Sequence, residues 1–226
     1  MLIALEGIDG SGKTSTAELL PEALAHHGVT ARYVDKRSLP SDNDYVAGHL
    51  KALSELLWSR SRHQPIRLLG HDHWVHLNAA YFCALHESVI VPAGERGEVL
   101  VVDGWIYKFA ARAGASSGIG MRSVLQQIQA VPSPEIMILL DVDPAEALKR
   151  RDHFHAMERG GFNGTPKDFT SFQGEVRASL REAARERGWR VVQPGRRDLH
   201  QMAFDIAQEI SRMIDRAEGG VASSMG

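Results

Sequence analysis

Eight residues near the start of the chain, Gly7-Ile8-Asp9-Gly10-Ser11-Gly12-Lys13-Thr14, satisfy the spacing G-x-x-x-x-G-K-[ST] at every required position. An apolar run, Leu2 to Leu5, precedes them, and a helical pattern starting with Ser15 follows. Strand, glycine loop and helix in that order are the context that gives this motif its meaning. The glycines let successive backbone N–H groups converge on phosphate oxygens. The helix N-terminus adds positive potential, Lys13 adds a mobile charge, and the Thr14 hydroxyl is a ligand for Mg²⁺. Residues 7–15, from Gly7 through Ser15, are therefore predicted to bind a nucleoside triphosphate, with Lys13 also acting in phosphoryl transfer.

Three acids are predicted at strand ends: Asp9, within the loop just after the first strand, Asp35 after the second and Asp103 after the third. A carboxylate beside a phosphate loop holds Mg²⁺, as expected of Asp103 with Thr14, or orients an acceptor hydroxyl. Asp143, directly before Pro144, reads as a helix cap instead. Cations gather in two stretches, Lys36-Arg37 and Lys149-Arg150-Arg151 with Arg159, and such groups clamp a transferring phosphoryl group. Trp105 is singled out because it closely follows Asp103. His71, His73 and His76 do not form a metal site by spacing, since only the latter two share a helical face.

Five strand patterns position these residues: Leu2–Leu5, Val29–Asp35, Glu98–Asp103, Glu135–Val142 and Trp189–Gln193. Helical patterns alternate with them over Lys13–His27, 44–62, 69–91, Gly104–Ala113, Met121–Ala130, Ala145–Arg151, Lys167–Gly188 and Leu199–Ala217. Pro92 is expected to end the third of these stretches, 69–91, and Gly114–Gly118 to form a small-residue loop. The alternation predicts an α/β fold with a five-stranded, mainly parallel sheet flanked by helices on both faces. Residues 1–217 read as one domain, with a mobile lid over about 150–167, and 218–226 as a flexible tail.

The composition sets further bounds. The chain has 226 residues, is 43% hydrophobic and 24% charged, and carries a formal net charge of −2. These are values of an ordinary globular domain, and they give no reason to expect nucleic-acid binding. One cysteine, Cys83, excludes an internal disulfide and suits a reducing compartment. No uncharged apolar run approaches the roughly 20 residues of a membrane span. A cytoplasmic protein without membrane contact is expected.

Leu5-Glu-Gly-Ile-Asp-Gly-Ser-Gly-Lys-Thr14 resembles the phosphate loop of the thymidylate kinase family. Gly97–Asp103, Leu140–Arg150 and Phe172–Leu180 with Trp189–Val192 are similar to later segments of that family. The resemblance implies a three-layer P-loop kinase fold, a homodimer, and transfer of the γ-phosphate of Mg·ATP to a nucleoside monophosphate, dTMP above all. Carried over by position, Asp9 faces the acceptor sugar and Arg37 its phosphate. Gly10 stands where one subgroup has an arginine, so the lid is expected to supply Arg150, Arg151 or Arg159 as the catalytic arginine. Two positions depart from the pattern. Gly104 follows Asp103 where the family has Asp-Arg, and Tyr81-Phe82 stand where it has a second Asp-Arg pair.

The acceptor set is accordingly Asp9, Asp35, Arg37, Tyr81, Phe82, Trp105 and Lys108, with Lys108 or Arg112 as substitutes for the missing arginines. On the same reading Gly104→Arg is expected to raise activity toward dTMP. Two other functions stay open on the residues alone: a kinase for a nucleoside or other alcohol without a phosphate, and a weakly catalytic nucleotide-dependent switch.

Overall fold

The computed structural model describes residues 1–35, 43–58, 66–150, 156–159, 166–195 and 197–223. Among them a single sheet contains β1 (Leu2–Glu6), β2 (Ala31–Tyr33), β3 (Val99–Val102), β4 (Ile136–Leu140) and β5 (Arg190–Val192), in the order β2-β3-β1-β4-β5. All four pairings are parallel. From β1 the chain goes to the β3 side for one crossover and reaches the β4 side later. The carboxyl end of β1 is thus the switch point of the sheet, where such folds leave a crevice for ligands.

Alternation along the central strands divides the core in two. Leu2 and Ala4 of β1, Leu100 and Val102 of β3, and Met137 and Leu139 of β4 face one cluster. Ile3 and Leu5, Val101, and Ile136, Ile138 and Leu140 face the other. This is the period of two that a strand buried on both faces must show. The second cluster is completed by α1 (Lys13–Ala25) and α9 (Leu199–Ser223), through Leu20, Leu24, Ile206 and Ile210. The first is completed by α2 (Asp44–Trp58), α3 (His71–Leu85), α5 (Ile106–Ser117), α6 (Met121–Gln127) and α8 (Pro166–Arg187).

Helix boundaries differ from expectation in three places. The helix expected to stop at Pro92 continues: α3 widens into one π turn, His86–Ile90, and then becomes α4 (Val91–Glu95). Val91 N donates to His86 O, five residues back, and proline follows within the first turn of α4, where its missing N–H matters least. The expected loop at 114–118 is the last turn of α5, which begins at Ile106 and ends at Ser117. A Cβ on Gly114 would lie 2.4 Å from the carbonyl carbon of Gly120, so glycine there serves close packing. Finally, α9 runs to Ser223, past the Ala217 end expected for it. The sheet, in contrast, has the five strands expected: β1 runs one residue further than expected, to Glu6, and the other four are trimmed by a residue or more at each end.

Candidate active site

The phosphate loop leaves β1 at Glu6 and turns through positive φ at Gly10 and Gly12, 80° and 92°. Ile8, Asp9, Ser11 and Lys13 are buried, while Thr14 and Ser15 open α1 on its exposed side. Lys13 Nζ donates to Gly7 O at 2.8 Å, Ile8 O at 2.7 Å and Ser11 Oγ at 3.2 Å. The ammonium therefore lies over its own loop, held by backbone carbonyls.

Across the crevice, Asp103 follows the end of β3, and Thr14 Oγ1 donates to its Oδ2 at 2.6 Å. Residues 89 apart in sequence thus present two hard oxygen ligands beside the loop. That donor type suits Mg²⁺, which takes one or two protein oxygens and completes its shell with water and phosphate. The residues fit the ion the motif implies.

Asp9 has more partners than its place in the motif suggests. Its Oδ1 pairs with Lys108 Nζ at 3.0 Å, and its Oδ2 with Arg112 Nη1 at 3.4 Å. Gln173 Nε2, from α8, donates to Oδ2 at 2.9 Å, and Gln173 Oε1 accepts from Asp9 N at 3.2 Å. Burial works to raise the Asp9 pKa, yet Lys108, Arg112 and Lys13 outweigh it and hold the carboxyl well below its usual range. The same Gln173 Nε2 lies 2.7 Å from Glu158 O in the 3₁₀ turn Ala156–Arg159, so a fully buried amide ties this turn to the loop.

Three residues earlier, Glu6 shows the opposite shift. By the alternation of β1 it faces α5, and its Oε1 accepts from Trp105 N at 3.0 Å and Lys108 N at 3.3 Å. It caps the first turn of α5 from another element and so fixes where Lys108 points. Burial raises its pKa, and the Lys13 and Lys108 charges offset this only in part.

The aromatic residues expected to face the acceptor lie in the core. Tyr81, Phe82 and Trp105 are each 0% exposed. Phe82 packs tilted on Trp105 with ring centroids 4.8 Å apart, and edge-on to Tyr81 at 5.5 Å. Trp105 Nε1 donates to Pro132 O at 2.7 Å. Phe82 and Trp105 are therefore core packing residues. Tyr81 is different at its tip: burial, with the Asp35 and Asp103 charges adding to it, pushes its phenol well above the ordinary value. Asp35 is half-buried just beyond β2.

Among the lid candidates, Arg150 reaches Ser11 O at 3.5 Å, and Arg159 is half-buried at the end of its turn. Arg37 and Arg151 lie outside the described residues, as does most of 150–167. Asp143 caps α7 (Pro144–Lys149), its Oδ1 accepting from Ala145 N at 2.9 Å, as its place before Pro144 predicts. Asp141 is taken by Arg177, Nε to Oδ1 at 2.6 Å, away from the crevice acids.

Comparison with known proteins accords with this geometry. The family model for thymidylate kinase matches residues 5–203. The chain belongs to the thymidylate kinase family. A probable thymidylate kinase of Pyrobaculum calidifontis is 28% identical over 217 residues, 96% of this chain and 97% of that protein. The thymidylate kinase of Xylella fastidiosa is 32% identical over 169 residues, covering 75% of this chain and 70% of the other. A probable thymidylate kinase of Pyrococcus abyssi is 32% identical over 148 residues, 66% and 68% of the two chains.

Against the thymidylate kinase pattern, the structure shows why Gly104 is not easily an arginine. The chain leaves β3 with φ of 122° there, a conformation that L side chains rarely adopt. An arginine at this position would cost about 1–3 kcal/mol of backbone strain before contributing any charge. The gain in dTMP activity expected from Gly104→Arg therefore has to be realised against this strain. Sequence reasoning missed Glu6 and Gln173. An acid ending an otherwise apolar strand was a visible signal for Glu6; for Gln173, which meets Asp9 across 164 residues, there was none.

Proposed function

We propose that this protein transfers the γ-phosphate of Mg·ATP to dTMP, giving dTDP and ADP. The observation that carries the reading is the joining of an intact phosphate loop to Asp103 through the Thr14 hydroxyl, in a member of the thymidylate kinase family.

The triphosphate is met by the loop amides of residues 7–15 and the N-terminus of α1. Lys13 exchanges the carbonyls of Gly7 and Ile8 for phosphate oxygens, moving a charge it already holds at the loop. Thr14 and Asp103 would hold Mg²⁺, which would offset the negative charge of the triphosphate when bound. Arg150, whose Nη1 donates to the loop carbonyl of Ser11 at 3.5 Å, is our first candidate for the arginine that meets the transferring group, with Arg151 and Arg159 as further lid candidates. On the acceptor side we read Asp9, Asp35 and Lys108, with Tyr81, Phe82 and Trp105 behind them in the core; Arg37, the further cation expected there, lies outside the described residues. For an acceptor without a phosphate, Asp35 or Asp103 would instead orient the attacking hydroxyl. Because phosphoryl transfer is mostly positioning and charge stabilisation, these placements are what the chemistry asks of the protein.

The protein is further read as a cytoplasmic homodimer, by likeness to its family. Among the described residues no helix is long and apolar enough to cross a membrane.

The test is incubation with Mg·ATP and dTMP, with thymidine in parallel, following product masses. Formation of dTDP at about 1 s⁻¹ or faster is expected. Phosphorylation of thymidine alone would replace this reading with a nucleoside kinase. Tight ATP binding with no product from either would remove dTMP as the acceptor.

A further inference from the structure

The two cations on α5 that hold Asp9 bear on what the acceptor must carry. Lys108 and Arg112 are one turn apart on one helical face, and each meets a different oxygen of the same carboxylate. A cation on each of two geminal oxygens is the arrangement a phosphate monoester or carboxylate takes when clamped by two side chains. Both are mostly buried, 15% and 17% exposed, yet both stand at the crevice rather than in either core. Their direction is fixed from below, because Glu6 caps the turn that carries Lys108. The neighbouring position that would otherwise offer a cation, Gly104, is held at φ of 122°. The field at this point is strongly positive, since the Lys108, Arg112 and Lys13 charges hold the Asp9 carboxyl well below its usual range although it is almost completely buried.

We propose that Lys108 and Arg112 form the anion subsite of the acceptor, and that Asp9 is an internal carboxylate whose place between them the acceptor's phosphate takes. The inference rests on the kinase reading above and deepens it: the acceptor is an anion, and its charge is read by α5. On this exchange Asp9 keeps its bonds to Gln173 and turns its other oxygen to a hydroxyl of the acceptor.

The experiment is equilibrium binding of dTMP, inorganic phosphate and thymidine to the whole chain, with Mg·ADP saturating the phosphate loop. It compares the wild type with Lys108→Met, Arg112→Gln, and the charge-keeping pair Lys108→Arg and Arg112→Lys. Loss of either cation is expected to weaken dTMP and inorganic phosphate about 10- to 100-fold, leaving affinity for thymidine and Mg·ADP unchanged. Because each cation meets Asp9 through a single nitrogen, the charge-keeping variants are expected to stay within about fivefold of wild type, which also shows that the fold is intact. If neither anion loses affinity in the neutral variants, or if thymidine loses as much, the subsite is overturned while dTMP turnover stands. If inorganic phosphate loses affinity as predicted but dTMP is neither bound nor converted, the subsite holds and dTMP falls as the acceptor.

Discussion

Asp9 and Glu6 lie three residues apart, both almost completely buried, and they titrate in opposite directions. The difference is partners. Asp9 has a cation on each oxygen, whereas Glu6 Oε2 is buried with no hydrogen-bond partner among the described residues. For Asp9 the folded pKa is depressed, so its stabilisation is present above the unfolded value of 3.8 and is lost as pH falls below it. Asp9→Asn should therefore cost on the order of 3 kcal/mol near pH 7, and thermal melts should show that cost shrinking below about pH 4. For Glu6 the folded pKa is raised. Stability is highest below the unfolded value of 4.5 and falls as pH climbs through the folded one. Glu6→Gln, which keeps an oxygen for Trp105 N and Lys108 N, should melt at or above the wild type near pH 7 and lose that advantage below pH 4.5. Parallel pH profiles for the two variants would contradict both assignments.

Elements were legible where the signal was local and unclear where neighbours decide. The five strands could be read from apolar runs, and the phosphate loop from eight consecutive residues. Pro92 and Gly114 were misread because each usually ends a helix, and here each is absorbed by its surroundings. A π turn precedes the proline, which falls in the first turn of α4, and the face of α5 at Gly114 is pressed against the Gly120 backbone ahead of α6. Gly114→Ala gives a measurable check. Helix propensity alone would make it stabilising by about 1 kcal/mol. A Cβ 2.4 Å from one backbone atom and 2.5 Å from another cannot rotate away, so net destabilisation of about 2 kcal/mol is expected from urea midpoints. Any increase in the midpoint would mean that α5 and α6 separate freely. The site divides the same way. Its triphosphate half is contiguous in sequence, but the partners of Asp9 come from 99 and 164 residues away, on helices whose polar faces look like any solvated face.

At the scale of the whole molecule, two cores share one sheet, and β1, β3 and β4 contribute to both. Neither face can lose its packing without exposing the strands that support the other. Leu20→Ala, on the α1 side, should cost about 2–5 kcal/mol and lower one calorimetric transition without splitting it. Phe169→Leu, on the α8 side, should lower the same transition. Two resolved transitions in either variant would show that the faces unfold separately. The strand order has a consequence for how the chain is made. β1 and its phosphate loop lie at the centre of the sheet, but β1 is flanked by β3 and β4, and Leu2 N donates to Glu135 Oε2 across 133 residues of chain. A ribosome adding about 5–20 residues per second needs roughly 7–27 s to supply that partner. Through that interval the nucleotide-binding motif has been translated but has no sheet to hold it, so a nascent chain gains its affinity for ATP late, after most of the polypeptide has emerged.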